Sequence, residues 1–302
     1  MSATPIEAAA PNWAEITTEP QCPLCEYMLR GLNVARCPEC GFRFNWPEVL
    51  DASKREHPYL FEHHPKRNVW SYFKTVTGAM RPRRFWSLLH PVQYGSTRRL
   101  LIYHFVSLAA LATIVLITPA VFIMVFAALE PYTPRFQSYQ FSRPPYWDYV
   151  GDALLRMYSR WRSQRVFLNG LLVACLWPWT AFLALQVFQI SMRKAKVKSI
   201  HVLRCVVYAL DHWVTTAVWT LALSCIFIFG VVDMFTQTYL PIPGPPEITL
   251  MCAACVVMLH TYRLGVAYRR YLRFDHAMPV AISAQLITLL SILILLIFIN
   301  GL

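Results

Sequence analysis

Five long apolar stretches constrain the fold of this chain more than any other feature of its sequence. The stretches are residues 100–129, 166–190, 213–232, 248–268 and 277–300. Each has about the 20 residues that an α-helix needs to cross the hydrocarbon core of a bilayer. Because lipid offers no hydrogen-bond partner to the backbone, runs of this length are predicted to be helices rather than strands. The sequence therefore predicts an all-α polytopic membrane bundle of about five transmembrane helices over residues 100–302.

Positive charge alternates along the chain in the way that five membrane crossings require. The chain has 28 Lys and Arg against 16 Asp and Glu, and in membrane proteins such cations collect in cytoplasmic segments. Residues 1–99 contain thirteen of them, 191–212 contain five and 261–276 contain four, whereas 233–247 contain none. This distribution predicts a multi-pass protein of the cell inner membrane, with its N-terminus in the cytoplasm and its C-terminus outside.

Two segments fit this topology less well than the others. Residues 130–165 carry six cations on the predicted outer side, in a loop rich in Tyr, Pro, Phe and Trp that suits a membrane interface. The stretch 248–268 contains a His and an Arg, and omitting it gives a four-helix alternative. That alternative would place the basic residues 1–99 and 261–276 on opposite sides of the membrane.

Four cysteines near the N-terminus form the pattern C-x2-C-x11-C-x2-C, in two CPxC pairs. They are Cys22, Cys25, Cys37 and Cys40. Two residues between cysteines let one tight turn direct both sulfur atoms at a single ion, and two such turns supply the four thiolates of a structural zinc site. Iron fits the same tetrahedral sulfur set and is the minority alternative. Gly41 follows the second pair and can adopt positive φ, whereas Glu26 stands at the equivalent place in the first pair.

The segment that contains these cysteines is too short to fold on a hydrophobic core. A stretch of about 25 residues needs a staple, so metal binding is predicted to supply most of the folding free energy of residues 22–46. The preceding residues 1–21 contain no basic start followed by an apolar run, and their small, acidic and Pro-containing composition predicts a disordered cytoplasmic tail. Thiols stay reduced in that compartment, which favours metal over disulfides.

The segment CPLCEYMLRGLNVARCPECG resembles the zinc ribbon, with rubredoxin-type CPxC knuckles, at the N-terminus of uncharacterised bacterial polytopic membrane proteins. This resemblance covers about residues 22–46 and implies Cys22, Cys25, Cys37 and Cys40 as the metal ligands. The remainder is similar in outline to membrane proteins of the Yip family, with five spans after a cytoplasmic N-terminal region and a basic amphipathic stretch, IHVLRCVVYALDH, before the third span. That second resemblance implies a role in trafficking or membrane organisation.

Residues 47–99 form a basic segment between the ribbon and the first apolar stretch. From residue 66 to 99 the segment has eight Lys or Arg and no acid. Val69, Phe73, Val76 and Met80 recur at helical spacing, which indicates either a helix that lies on anionic lipid headgroups or an ordinary packed helix. Nucleic acid is not the favoured partner, because the three arginines of the ribbon are opposed by two glutamates.

Three histidines of the same segment are also candidate metal ligands. His57, His63 and His64 lie near prolines and lack paired cysteines, so they are predicted to be solvated loop residues rather than a second metal site.

The function that these patterns favour is non-enzymatic. The chain has no G-x-S-x-G, H-E-x-x-H, P-loop or G-x-G-x-x-G motif, and its carboxylates are few and scattered. We therefore expect a membrane-anchored zinc-ribbon protein that binds a protein partner or organises the membrane, with Tyr27, Phe42 and Phe44 presented by the ribbon. The alternative is a small-solute channel or transporter, because ionisable residues in membrane segments are candidates for transport. That alternative would use His260, Arg263 and Asp211.

Overall fold

Helices dominate the structure. The computed structural model describes residues 11–16, 19–129, 166–191, 197–236, 245–274 and 276–300. Within these ranges the chain forms nine α-helices and no extended strand. The helices are α1 (Trp46–Leu50), α2 (Asn68–Ala79), α3 (Pro82–Leu88), α4 (Thr97–Leu129), α5 (Val166–Ser191), α6 (Ser199–Ala209), α7 (His212–Thr236), α8 (Pro245–Arg270) and α9 (Ala277–Asn300). The ribbon before α1 contains two isolated antiparallel bridges, Gln21 to Met28 and Arg36 to Arg43.

The long helices correspond to the five apolar stretches, in α4, α5, α7, α8 and α9. Among the described residues, three segments are long and apolar enough to cross a membrane: Thr97–Phe122, Leu250–Arg270 and Ala277–Ile299. A shorter apolar helix covers Leu172–Val187, within α5. The segment in α8 covers most of residues 248–268, the stretch that the four-helix alternative omits. Its length and hydropathy therefore do not favour that alternative. The aromatic loop predicted at residues 130–165 lies outside the described residues.

The surface of α9 is apolar to a degree that water-soluble helices rarely show. Leu286, Leu290 and Ile294 each expose about three fifths of their area, and Phe298 exposes 84%. A continuous surface of large apolar side chains marks contact with lipid or with another protein. The exposed face of α9 therefore agrees with the sequence expectation of a membrane helix.

The chain divides into two compact units. One comprises Met1–Phe105, Trp177–Asp211 and His260–Leu302, and the other comprises Val106–Leu176 and His212–Leu259. In the second unit, α7 satisfies its polar side chains locally: the Thr216 hydroxyl donates to the carbonyl of His212, at 2.9 Å, and the Ser224 hydroxyl donates to that of Thr220, at 2.8 Å. Such bonds to the preceding turn satisfy these two hydroxyls within the helix itself.

An aromatic core holds the first unit together. Tyr208 of α6 lies at its centre, with ring centroids 5.2 Å from Tyr103 and 5.4 Å from Phe85. Trp86 packs against Tyr271 with centroids 5.6 Å apart. All five side chains are almost completely buried. Aromatic pairs in these offset and edge-on arrangements add to the free energy gained from burial alone, and they fix helices α3, α4 and α6 around one centre.

Helix α2 forms over the predicted amphipathic stretch and has two different faces. Tyr72, Thr75 and Val76 are buried against the rest of the first unit. The opposite face exposes Val69, by 71%, and Phe73, by 56%. Exposed cations surround this apolar face: Lys66, Arg67, Lys74, Arg81, Arg83 and Arg84. Of the four apolar residues predicted for one face, Val76 therefore packs inward, while Val69, Phe73 and Met80 are exposed.

Residues in the predicted N-terminal tail also make contacts. Within the described residues 11–16, the Glu15 N–H donates to the carbonyl of Asn12, at 3.1 Å. The Trp13 ring packs edge-on against Trp46, with centroids 5.0 Å apart. Trp46 in turn contacts Phe44 at 4.9 Å, so this part of the tail adds an aromatic side chain to the small core beneath the ribbon.

Candidate metal centre

The two CPxC segments adopt the same backbone turn. In the first, the Cys22 N–H donates to the carbonyl of Tyr27 and the Glu26 N–H donates to that of Cys22, both at 2.8 Å. In the second, the Cys37 N–H donates to the carbonyl of Phe42 at 2.9 Å, and the Gly41 N–H donates to that of Cys37 at 3.0 Å. The hydrogen bonds repeat after fifteen residues, as the spacing of the cysteines predicts. Each turn thereby directs two sulfur atoms to the same side.

The four sulfur atoms converge on one point. All of them lie within 4.8 Å of one another. The Sγ atoms of Cys22 and Cys40 are 3.6 Å apart, and those of Cys25 and Cys37 are 3.5 Å apart. Sulfur ligands at about 2.3 Å from a tetrahedral zinc ion stand about 3.8 Å from each other, so the observed separations fit a four-coordinate metal. The predicted ligands Cys22, Cys25, Cys37 and Cys40 thus form a group that can hold a metal ion.

Mutual contacts and burial set the protonation of three of these thiols. A hydrogen bond from the Cys40 thiol lowers the pKa of Cys22 to about 5. Burial raises the pKa of Cys25 to about 12, and the hydrogen bond to Cys22 raises that of Cys40. The protein alone therefore favours a thiolate at Cys22 and neutral thiols at Cys25 and Cys40. A metal ion must displace the remaining protons, so its affinity is expected to fall as the pH falls.

The two turns differ in one residue that is not a ligand. Gly41 has φ of +72°, which costs glycine nothing, whereas Glu26 holds the equivalent conformation with φ of +64°. A residue with a Cβ loses roughly 1–2 kcal/mol in this left-handed region. The first turn is therefore strained, as the absence of glycine from its sequence predicts.

This difference predicts opposite effects of two substitutions on metal affinity. Glu26→Gly removes the strain and is expected to tighten metal binding severalfold, even after loss of the exposed ion pair of Glu26 with Lys198, which contributes at most about 1 kcal/mol. Gly41→Ala introduces strain alone, because its Cβ would lie 3.7 Å from the nearest atom, Nη2 of Arg36. It should weaken binding about 5- to 30-fold. Competition with a chelator measures both changes, and weaker binding by Glu26→Gly would contradict the explanation.

Contacts from the beginning of α6 hold the first turn of the ribbon in place within the first unit. The Lys198 N–H donates to the carbonyl of Leu24, at 2.8 Å. His201 donates from Nε2 to the carbonyl of Pro23, at 2.7 Å, and accepts at Nδ1 from the Tyr271 hydroxyl, at 2.8 Å. Burial lowers the pKa of His201 to about 4, so its ring is neutral and can both donate and accept. The first metal turn is thereby bonded to the start of α6.

Arg273 fastens the second turn. Its Nη1 donates to the carbonyl of Arg43, at 2.5 Å, and its guanidinium lies over the ring of Phe42, 5.2 Å from the centroid. Its other terminal nitrogen is 3.9 Å from a carboxylate oxygen of Glu48. Arg273 has φ of +58°, in the region that favours glycine. The turn between α8 and α9 therefore holds a strained residue in contact with the ribbon.

No local pattern in the sequence indicates the roles of His201 and Arg273. By composition, His201 belongs to an amphipathic stretch and Arg273 to a basic connecting segment. The residues they contact lie more than 170 positions away in the chain. The one sequence signal for His201 is its position beside apolar residues in the amphipathic stretch IHVLRCVVYALDH.

Two of the three aromatic residues predicted to face a partner are buried. Phe42 and Phe44 expose 5% and 3% of their area and stack on each other with centroids 6.3 Å apart. They form the small core of the ribbon, because residues 22–46 contain few other large apolar side chains that could be buried there. Tyr27 is half-buried. The apolar side chains that the ribbon does expose are Met28, by 39%, and Val34, by 59%.

Two of the three histidines predicted to be solvated are buried, and the third, His64, is half-buried. His57 and His63 expose 1% and 4% of their area. His63 accepts the His57 N–H at Nδ1, at 2.6 Å, and donates from Nε2 to the carbonyl of Tyr94, at 2.8 Å. His64 donates to the carbonyl of His57, at 2.8 Å. The prediction of solvation was wrong because the segment folds back on itself and uses the imidazoles to satisfy its own backbone. Burial lowers the pKa of His57 to about 3.

The three residues of the transport alternative are buried in the first unit. His260, Arg263 and Asp211 expose 3–5% of their area. Arg263 donates to the carbonyls of Ala209 and Tyr208, at 2.9 and 2.7 Å, and so caps the C-terminal end of α6. Asp211 accepts a hydrogen bond from the Tyr103 hydroxyl at 2.6 Å. Both charged groups are thus engaged with neighbouring helices.

A buried ion pair that the sequence did not reveal lies at the centre of the first unit. Glu62 and Arg204 are both completely buried and form two parallel hydrogen bonds of 2.9 Å. By sequence, Arg204 is one of the five cations of residues 191–212, which are predicted to be cytoplasmic. It donates its remaining three N–H groups to the carbonyls of Gln93 and Tyr94 and to the Tyr271 hydroxyl.

Comparison of the chain with models of protein families, with curated proteins and with solved structures finds no match. The likeness to a zinc ribbon therefore depends on the cysteine spacing and on the geometry of the four sulfur atoms. In the part of the chain that the structure describes, these cysteines are the one group of three or more His, Cys, Asp or Glu side chains placed to share a metal ion.

Proposed function

We propose that this chain is a membrane-anchored zinc-ribbon protein that binds a protein partner or organises the membrane, without catalysis of its own. The observation that carries the proposal is the attachment of the four-cysteine group to other segments of the first unit, through Lys198, His201 and Arg273. A ribbon held in this way has a fixed orientation toward whatever it binds. Fixed presentation of a small surface suits recognition better than it suits a reaction.

Zinc is the metal we propose for this site. Structural zinc is typically bound by two paired turns that supply four thiolates. Four protein ligands fill the tetrahedron and leave no position for a substrate. Iron would occupy the same tetrahedron. Elemental analysis and the visible absorption of ferric thiolates distinguish the two metals in the purified chain.

We place the protein in the inner membrane, with the ribbon in the cytoplasm, five crossings and the C-terminus outside. The alternation of basic segments supports this orientation, and the exposed apolar face of α2 with its surrounding cations suits contact with anionic headgroups. A cysteine introduced at Gly244 should react with a membrane-impermeant maleimide added outside intact cells. Labelling only after the membrane is opened would overturn the orientation.

The contacts of Arg263 and Asp211 favour the binding module over a small-solute transporter. An arginine that caps a helix and a carboxylate that accepts from a buried tyrosine already have structural roles. We therefore assign the partner surface to the exposed loop of the ribbon around Met28, Arg30 and Val34.

Photo-crosslinking in native membranes tests this assignment. A photoreactive residue at Val34 of the full chain should form an adduct with a discrete protein, and the adduct should disappear in Cys37→Ser/Cys40→Ser, which cannot hold the loop in place. The matched control carries the same probe at Leu88, which is similarly apolar and exposed but lies in α3. A Val34 adduct that survives loss of the metal ligands, or that matches the Leu88 pattern, would contradict the proposal.

A further inference from the structure

A basic cavity lies between the second metal turn and the turn that joins α8 to α9. Its volume is about 620 Å³, which is in the range of pockets that hold small organic ligands. Four arginines and one histidine line it: Arg36, Arg43, Arg269, Arg273 and His276. No carboxylate is found among its described lining residues. A cavity with this lining attracts an anion.

Within the described residues, three of these arginines lack a carboxylate partner. Arg273 is engaged with the ribbon and lies near Glu48, but no carboxylate in the described part of the chain lies within ion-pair distance of Arg36, Arg43 or Arg269. Their side chains are exposed toward the cavity and solvent. Guanidinium groups that share a cavity without counter-charges repel each other, and an anion with several oxygens would relieve this repulsion by accepting their paired N–H donors.

The beginning of α9 adds further donors to the same cavity. Ala277, Met278 and Pro279 of its first turn form part of the wall, and the first two have a backbone N–H. The first N–H groups of a helix have no partner within the helix and carry a partial positive charge. Together with the arginines they form a surface suited to the tetrahedral oxygens of a phosphate group.

The cavity also has apolar lining residues: Leu24, Phe42, Leu272 and Phe274. It lies at the connection between α8 and α9, which both contain a segment long enough to cross a membrane, so in an inserted protein it lies at the level of the lipid headgroups. A ligand with a phosphate and an attached apolar or neutral part matches both kinds of lining residue.

We propose that this cavity binds a phosphate ester, supplied either by the headgroup of an anionic phospholipid or by a soluble phosphate compound. The lipid source rests on the proposed membrane insertion of α8 and α9, whereas the phosphate site itself does not. The position of the cavity at a helix–helix turn favours the lipid, since basic pockets at the ends of transmembrane helices bind anionic headgroups.

The test compares two variants with equal loss of charge. Arg36→Gln/Arg269→Gln removes two exposed cations of the cavity, and Lys54→Gln/Arg55→Gln removes two exposed cations elsewhere. In one arm, native mass spectrometry counts phosphatidylglycerol and phosphatidylcholine retained by the full chain after exchange from mixed nanodiscs. In the other arm, calorimetry of the detergent-solubilised chain measures binding of inorganic phosphate and glycerol 3-phosphate.

We expect retention of phosphatidylglycerol over phosphatidylcholine, weakened roughly tenfold in the cavity variant and unchanged in the control. Binding of glycerol 3-phosphate that is lost in the cavity variant would identify the soluble source instead. Equal behaviour of the two variants, or no phosphate binding in either arm, would overturn the proposal.

Folding and insertion are followed in the same samples. Metal content should be unchanged in both variants, and Arg36→Lys/Arg269→Lys, which keeps the charges, should retain most of the binding. If the glutamine variant of the cavity loses its metal, the lysine variant takes its place in the comparison. Complete loss of phosphate binding by the lysine variant would then contradict a site that depends on charge. If the chain is not retained in membranes after carbonate extraction, the proposed function fails, while the calorimetric arm still tests the cavity.

Discussion

Replacement of Cys37 and Cys40 by serine is expected to abolish metal binding and to unfold residues 22–46, while the long apolar helices keep their structure. The physical reason is that the ribbon has only Phe42, Phe44 and a few neighbours as its core. Metal binding by structural sites of this type supplies on the order of 10 kcal/mol at neutral pH. Without it, the conformational entropy of about 25 residues is no longer offset.

Trypsin makes the unfolding measurable at defined sites. Arg30, Arg36 and Arg43 have exposed side chains, but the metal turns hold their backbone in the native protein. The double-serine variant should be cut at all three within minutes under conditions in which the wild-type chain is resistant, and its zinc content should fall from about one per chain to none.

The matched control is Cys225→Ser/Cys255→Ser, because both of these cysteines are exposed in the long helices and far in sequence from the ribbon. It should keep its metal and its resistance. A double-serine variant at Cys37 and Cys40 that retains a full equivalent of metal would refute the assignment of the centre.

Glu62→Gln is expected to destabilise the chain by about 3–5 kcal/mol, the largest effect of any single substitution proposed here. The carboxylate accepts four hydrogen bonds: two come from Arg204, one from the Tyr208 hydroxyl at 3.0 Å and one from the Ser96 N–H at 2.9 Å. Neutralising it leaves the Arg204 guanidinium charged inside the protein. Burial by itself lowers the pKa of Arg204, but Tyr271 and Glu62 together raise it above its usual range, so the arginine stays protonated.

The exposed pair of Glu26 and Lys198 provides the comparison. Its side chains expose 58% and 37% of their area, so water and salt screen their attraction, and Glu26→Gln should change the free energy of unfolding by less than about 1 kcal/mol. Equilibrium unfolding of the purified chain in mixed micelles, followed by tryptophan fluorescence, measures both variants.

Non-additivity gives a second test of the same pair. Because a buried charge is costly mainly when its partner is missing, Glu62→Gln/Arg204→Met should destabilise the chain by less than the sum of the two single changes. Glu62→Gln with no larger effect than Glu26→Gln would show that the pair does not stabilise the first unit.

The metal ligands could be predicted from the sequence because their geometry is local. Cys22 and Cys25 share one turn, as do Cys37 and Cys40, and fifteen residues separate the equivalent positions of the two turns. The strained conformation of Glu26 was predictable for the same reason, since a missing glycine in a repeated turn is visible in the letters. Interactions of this kind depend on a few neighbouring backbone angles.

The surroundings of the centre could not be predicted. Phe42 and Phe44 look like surface aromatics in a short ribbon, yet they are its core, and His201 looks like part of an amphipathic face, yet it binds the carbonyl of Pro23 across 178 positions. Periodicity reports which side of a helix is apolar but not which element covers it.

The sequence by itself determined that long stretches of this chain are apolar helices and that four thiols near its N-terminus can share one ion, because both properties depend on runs of adjacent residues. Only the tertiary structure decided that Glu62 meets Arg204, that the ribbon is bonded to α6 and to the turn after α8, and that four arginines line one cavity. These contacts join residues up to 230 positions apart. They follow from the packing of whole helices, whose relative placement no local pattern records.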